Sequence, residues 1–160
     1  MIDARQTGNA GGRTHEGLGR DDLGFLLAKA TQRWNERLAE RFARAGYGDV
    51  RPSYGSVLLP LFEEDGLRLG ELTRRSRLSK QTMTELIRRL ERDGLVERRA
   101  DPTDGRAALI FLTARSRAFE PVAAEVLAEF DEQVRRTLGD ERADELKAGL
   151  RALLKSDRAV

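Results

Sequence analysis

The sequence contains no cysteine and a single histidine, His15. Without a thiol the chain has no disulfide, no thiolate zinc site and no means of sensing oxidation through a thiol. His15 stands in a stretch rich in glycine and polar residues, where it offers no set of metal ligands. We therefore expect neither a metal nor a cofactor.

Long hydrophobic runs are also missing. No segment approaches the roughly 18 consecutive apolar residues that a membrane-spanning helix needs, and the first twenty residues lack the apolar core of a signal peptide. We therefore expect a cytoplasmic protein with no membrane partner. Residues 1–20 are predicted to be a disordered tail, because glycine and polar side chains bury too little apolar surface to fold.

The chain has 160 residues, of which 39% are hydrophobic, and this suffices for one domain with a core, predicted over residues 21–157. Basic residues number 29 and acidic residues 27. Their positions are uneven, since the segment from Arg68 to Arg106 holds eleven basic and seven acidic residues, a net charge of +4. The middle of the chain is its basic part.

Helical spacing of apolar residues predicts two helices before this basic segment. A stripe from Leu23 to Phe42 indicates a long amphipathic helix that stops at Gly46. A second helix is predicted to start at Pro52, a residue suited to the first helical position, and to bend at Pro60, which lacks a backbone donor.

The segment "LRLGELTRRSRLSKQTMTELIRRLERDG" contains two short helical patterns around a polar break. Ser79 is placed to cap the second helix. The buried stripe of that helix is predicted to be Met83, Leu86, Ile87 and Leu90, and the opposite face carries Gln81, Glu85, Arg88 and Arg92. This spacing is typical of a helix-turn-helix.

A hairpin is predicted next. "LVERR" and "AALIFLT" have the composition of strands, and "ADPTDGR" between them supplies the aspartate, proline and glycine that a hairpin loop uses. The expected structure is a two-stranded wing. Charges opposite an apolar stripe occur on any solvated helix, but a capped helix with hydrogen-bonding side chains followed by a basic hairpin favours DNA recognition.

The chain ends in two more helical patterns. Apolar residues line one face from Phe119 to Leu138, stop at Gly139 and resume from Leu146 to Leu154. Together with the first helix they offer more apolar surface than one small domain covers, which favours pairing with a second copy. The predicted fold is mainly α with a small β-wing, a winged helix-turn-helix domain flanked by N- and C-terminal dimerisation helices.

At "LSKQTMTELIRRLERDGLVERRADPTDGRAALIFLT" the chain resembles the MarR family of winged helix-turn-helix transcriptional regulators. The resemblance implies a DNA-binding lobe over about 51–113 and dimerisation helices over about 21–46 and 114–157. Arg77 departs from the family pattern, because it stands in the turn where the family often has glycine, and this favours a reshaped turn. The resemblance implies that the residues facing DNA are Ser79, Lys80, Gln81, Thr82, Thr84, Glu85, Arg88 and Arg106. Asp104 would support the wing by orienting Arg106 through a charge-assisted pair. Two alternatives stay open: Asp104 as a turn residue that bonds its own backbone, and Arg106 as a structural salt-bridge partner.

The resemblance also implies a homodimeric repressor that binds a short palindromic operator in double-stranded DNA and is released by a small, largely apolar or aromatic effector. The aromatic residues on the helices that would border an effector cavity are Trp34, Phe42, Tyr54 and Phe62, although aromatic residues at such positions are more often plain core. An enzyme is not expected, because no nucleophile and base, metal cluster or phosphate loop appears. The remaining alternative is a winged-helix module that binds proteins without reading DNA sequence.

Overall fold

A computed structural model of the chain describes residues 19–156. Most of the predicted tail, with His15, lies outside the described residues. The chain divides into two compact units, Met1–Trp34 and Asn35–Val160, and each is treated by itself below. No helix within residues 19–156 is long and apolar enough to cross a membrane.

The predicted order of helices and wing is confirmed. The helices are α1 (Leu23–Arg44), α2 (Gly55–Glu63), α3 (Leu69–Ser76), α4 (Lys80–Arg92), α5 (Ala114–Leu138) and α6 (Asp140–Ser156), with a short 3-10 helix at Pro52–Tyr54 before α2. The strands are β1 (Leu67–Arg68), β2 (Val96–Asp101) and β3 (Asp104–Leu112). The fold is mainly α with a small antiparallel sheet, as the sequence predicts.

In the first unit the described chain is the beginning of α1. The Asp22 carboxylate accepts a hydrogen bond from the backbone N–H of Phe25 at 3.2 Å, which satisfies one of the free donors at a helix start. The large apolar side chains of this segment remain more than a third exposed: Leu23, Phe25, Leu26, Leu27 and Trp34. This part of α1 presents an apolar surface to its surroundings.

The second unit has one core, built around α4. The four residues of the predicted stripe are buried, with Met83, Ile87 and Leu90 at 0% exposure. Phe42 and Phe119 meet edge to face with ring centres 4.9 Å apart, which joins α1 to α5. One side of α4 is therefore fixed in the core, and the opposite side is free to face a ligand.

The turn of the helix-turn-helix uses an arginine where a glycine suits the backbone. Arg77 follows α3 with φ 53° and ψ 32°, in the left-handed region. A side chain there costs on the order of 1 kcal/mol relative to glycine. The turn thus keeps its left-handed geometry, and Ser79 then caps α4 as predicted, accepting from the N–H of Thr82 at 3.1 Å.

Pro60 lies inside α2, where its ring leaves a carbonyl without the usual helical donor. In a regular helix the N–H of residue 60 would bond to the carbonyl of Ser56. That carbonyl instead accepts a hydrogen bond from the Ser76 hydroxyl at the end of α3. The missing donor is replaced by a contact that fastens α3 to α2.

The sheet differs from the predicted two-stranded wing in one respect. β2 and β3 form the expected hairpin, but β1 pairs with the other edge of β3 through Leu67 and Arg68, so the strand order is β1-β3-β2. The hairpin loop is also shorter than expected, because β2 runs to Asp101 and β3 begins at Asp104. The third strand anchors the base of the wing to the segment just before α3.

Candidate nucleic-acid interface

The exposed side of α4 carries the side chains that the sequence predicts to face DNA. Lys80, Gln81, Glu85 and Arg88 are all exposed, at the beginning and middle of the helix. The N-terminal half of a helix that lies against the core on one side can enter a major groove on the other. The structure therefore presents these four side chains together on one accessible surface.

Three hydroxyl groups near the start of α4 already have partners within the chain. Ser79 Oγ accepts from the Thr82 backbone and lies 2.8 Å from the Thr82 hydroxyl. Thr84 is half-buried, and its hydroxyl donates to the Lys80 carbonyl at 2.7 Å. A hydroxyl that already donates a hydrogen bond can still accept one, so these three groups can add acceptors to the surface. They offer fewer free hydrogen-bond donors to DNA than the sequence implies.

At the tip of the wing Arg106 is exposed, and Asp104 lies two residues before it. The Asp104 carboxylate accepts from the backbone N–H of Arg106 at 3.1 Å. Across residues 19–156, no ion pair joins the Asp104 carboxylate to the Arg106 guanidinium. Asp104 therefore acts as a turn residue that bonds nearby backbone, which is the alternative to a charge-assisted pair. The Arg106 guanidinium extends into solvent.

A groove of about 720 Å³ joins the wing to the helix-turn-helix. Its cationic lining residues come from β1, α4, β2 and β3: Arg68, Lys80, Arg98 and Arg106. Arg98 is paired with Glu91 at 2.8 Å, and Arg68 with Asp101. Within the described chain, Lys80 and Arg106 remain as the cations of this groove without an ion-pair partner.

The turn at the tip of the wing is held by residues that the sequence did not single out. Asp101 is 6% exposed, and its carboxylate accepts from Arg68 Nε at 2.7 Å and from the Thr103 N–H and hydroxyl at 2.8 and 2.7 Å. The sequence "DPT" carries the signal for such an aspartate turn. The Arg68 contact could not be foreseen, because it depends on the pairing of β1 with β3.

The Thr103 hydroxyl and N–H, helped by Arg68, lower the pKa of Asp101 from 3.8 to about 2. The ionised carboxylate therefore stabilises the fold at pH values above 3.8, and this stabilisation is lost as the pH falls through about 2. We expect Asp101→Asn to flatten the fall in stability of the wild-type protein between about pH 5 and pH 2. Urea unfolding at several pH values measures this, with Asp104→Asn as the matched control. Parallel curves for wild type and Asp101→Asn would contradict it.

The four aromatic residues proposed for an effector site do not share one environment. Phe42 and Tyr54 are buried in the core of the second unit, and Phe62 packs partly against it. Trp34 belongs to the first unit and is 37% exposed. For Phe42 and Tyr54 the structure matches the plain-core alternative.

A cavity of about 630 Å³ lies between α1 and α5 in the second unit. None of the proposed aromatic residues lines it. Its walls are mainly charged, with arginines from both helices facing glutamates, and Arg41 is paired with Glu129. A ligand of this cavity would therefore have to be polar, unlike the effector expected from the sequence.

The chain contains a helix-turn-helix whose second helix is capped, and a hairpin follows it. Arg106 of the hairpin shares a groove with that helix. These features define a winged helix-turn-helix protein. The MarR family model matches residues 52–108, which run from the 3-10 helix to the middle of β3. The family match covers the helix-turn-helix and most of the wing of this chain.

Two named relatives are transcriptional regulators. The HTH-type transcriptional regulator TtmR of Methylorubrum extorquens is 44% identical over 64 residues, which are 40% of this chain and 33% of TtmR. Transcriptional regulator HosA of Escherichia coli is 27% identical over 118 residues, 73% of this chain and 81% of HosA. The chain thus spans about a third of TtmR and most of HosA.

Solved structures show the same fold. The transcriptional repressor CouR, bound to a 23-mer DNA duplex, superposes with a TM-score of 0.72 at 24% identity, covering 86% of this chain and 99% of CouR. Members of the MarR family are transcriptional regulators and not enzymes.

Proposed function

We propose that this protein is a MarR-family regulator, a cytoplasmic homodimeric repressor that binds a short inverted repeat in double-stranded DNA. In this proposal residues 51–113 form the DNA-binding lobe, and helices within 21–46 and 114–157 pair with a second copy. The observation that carries the proposal is the single accessible surface on which the exposed face of α4 and the free cations Lys80 and Arg106 lie together.

This surface suits the two parts of DNA recognition. Gln81 and Glu85 carry the amide and carboxylate groups that bond to base edges in a major groove. Lys80, Arg88 and Arg106 carry charges that neutralise phosphates or follow a minor groove. CouR, which shares the fold, is a repressor solved on a DNA duplex. Seating α4 in the major groove places the wing beside the neighbouring backbone.

The proposed dimer is supported by the surface of α6. Of its large apolar side chains, Leu146, Leu150, Leu153 and Leu154 are between 38% and 60% exposed. They recur at the spacing of one helix face, and a contiguous apolar face of this kind favours an apolar partner. A second copy supplies the same face by two-fold symmetry and presents two recognition helices about 34 Å apart, the spacing of successive major grooves.

Release by a small, largely apolar or aromatic compound is the part of the proposal that follows from the resemblance to the family. A ligand that prefers the unbound conformation by about 1 to 3 kcal/mol is sufficient to lower operator affinity. Titration of aromatic acids into the protein–DNA complex, followed by fluorescence anisotropy, tests this. If none of them shifts the affinity, the release step is wrong while DNA binding stands.

Two substitutions test the proposed roles of α4 and of the wing independently. Gln81→Ala removes a base-edge contact, so it is expected to cost about 1 to 3 kcal/mol on a duplex selected by the wild-type protein and little on random duplex. Arg106→Ala removes a positive charge that is proposed to contact a phosphate or the minor groove. It is expected to weaken both duplexes by similar factors and to reduce the slope of log affinity against log salt by about one charge per subunit.

Both variants are compared with wild type after thermal melting has shown that they fold. Equal weakening of all duplexes by Gln81→Ala would show that α4 does not read bases. If the wild-type protein selects no sequence from a random pool and binds DNA weakly without salt dependence, the protein-interaction module becomes the better description.

A further inference from the structure

The recognition helix α4 ends in a tightly bonded turn. Asp93 is the residue that caps it, and Gly94 follows with φ 68°, in the left-handed region. The Gly94 N–H bonds to the Glu91 carbonyl at 3.1 Å and the Leu95 N–H to the Leu90 carbonyl at 2.8 Å. These two bonds form a Schellman motif, which closes the helix and turns the chain into β2.

The first turn of α5 holds the backbone just after α4. Arg115 Nη1 donates to the Asp93 carbonyl at 2.6 Å, and the Thr113 hydroxyl donates to the Gly94 carbonyl at 2.7 Å. The hydroxyl of Ser116, a residue with 0% exposure, donates to the Leu95 carbonyl. Three successive carbonyls just after the recognition helix therefore accept hydrogen bonds from three side chains in the N-cap and first turn of α5.

Asp93 is also held through its side chain. The Tyr54 hydroxyl donates to Asp93 Oδ2 at 2.5 Å, and Tyr54 itself is 1% exposed. Arg115 uses its other terminal nitrogen to reach Asp49 Oδ1 at 2.6 Å, in the loop that follows α1. Burial and the bond to Asp93 raise the pKa of Tyr54, so its hydroxyl stays protonated and continues to donate.

We infer that Tyr54 and Arg115 are positioning residues for DNA binding, which set the direction of α4 by holding its C-cap residue Asp93 between the 3-10 helix and α5. We call these two side chains, with Thr113 and Ser116, the α4 clamp. The inference rests on the proposed DNA-reading role of α4. It adds that sequence discrimination depends on residues that do not touch DNA.

The length of α4 explains why its far end matters. Lys80 lies thirteen residues before Asp93, about 20 Å along a helix that rises 1.5 Å per residue. A tilt of about 5° at Asp93 therefore moves the base-reading end by almost 2 Å. Hydrogen bonds to base edges do not survive such a shift, whereas attraction between a flexible cation and a phosphate largely does. A loosened clamp should thus reduce discrimination more than general affinity.

The experiment uses the full chain and a duplex selected by the wild-type protein from a pool of random sequences, with a scrambled duplex for comparison. Tyr54→Phe removes one hydroxyl, and Arg115→Lys keeps the charge but cannot reach Asp93 and Asp49 at once. Each is expected to lower the ratio of affinities for selected over scrambled duplex by about five- to tenfold, as the loss of one base contact would. The salt slope should stay unchanged, because no phosphate contact is lost.

Tyr47→Phe is the matched control, since it removes the hydroxyl of the other tyrosine, whose ring packs on Phe119. For Tyr47→Phe, the ratio of affinities for selected over scrambled duplex should equal that of wild type. If Tyr54→Phe and Arg115→Lys lower the melting temperature but leave the ratio within twofold of wild type, the clamp is merely structural and the inference is overturned. Should one variant fail to fold, the other decides. Wild-type protein that selects no duplex would instead overturn the proposed function and the inference with it.

Discussion

A chain carrying both Leu150→Asp and Leu153→Asp is expected to be a monomer that binds an inverted repeat at least a hundredfold more weakly than wild type. The two side chains are 38% and 51% exposed, so charging them costs the single chain little. In a dimer they would bury carboxylates in an apolar interface. Losing the second recognition helix removes the gain from linked binding, which is typically a factor of about 10² to 10⁴.

Light scattering and titration of a labelled duplex measure the two effects together. The control is Ala148→Asp with Ala152→Asp, which adds the same charges to exposed positions on another side of α6. That variant should remain dimeric and bind as wild type does. A Leu150→Asp, Leu153→Asp protein that stays dimeric would show that α6 is not the interface, whatever the state of the DNA-binding surface.

Gly66→Ala is expected to be the most destabilising small substitution in the wing. Gly66 has φ 76°, and a Cβ there would lie 2.7 Å from two atoms of the Phe111 ring. The left-handed backbone and the displaced ring together should lower the free energy of unfolding by about 2 to 4 kcal/mol. The ring shift also disturbs Arg99, whose guanidinium stacks 4.4 Å above the centre of Phe111.

Urea unfolding at fixed protein concentration measures this loss. Gly70→Ala is the control, because Gly70 lies inside α3 and a Cβ there meets no atom within 4 Å. Alanine is favoured over glycine in a helix by roughly 0.5 to 1 kcal/mol, so this variant should be slightly more stable than wild type. Equal stability of the two alanine variants would mean that Phe111 moves aside at no cost.

The sequence predicts those parts of the molecule that depend on regular spacing. The stripe from Met83 to Leu90 specifies which side of α4 is buried, and therefore which side can face DNA. Ser79 and Gly139 mark helix ends through local backbone chemistry. These signals act over a few residues, and for that reason they can be recognised without knowledge of the tertiary fold.

The features that could not be predicted depend on contacts between distant residues. β1 has two residues and becomes a strand only because Leu67 and Arg68 lie beside β3. The bond from Arg115 to Asp93 spans 22 residues. Asp104, which the family resemblance assigned to the Arg106 side chain, instead bonds the Arg106 backbone, because the hairpin loop is shorter than expected and β3 already begins at Asp104.

The contact between α2 and α3 has a consequence for how the chain can vary. The Ser56 carbonyl depends on the Ser76 hydroxyl because Pro60 cannot supply the helical N–H. Replacing Ser76 by alanine leaves that carbonyl without its donor, whereas replacing Pro60 by alanine restores the donor within α2. Positions 60 and 76 are therefore expected to covary among descendants of this chain, with the loss of the serine tolerated where the proline has been lost first.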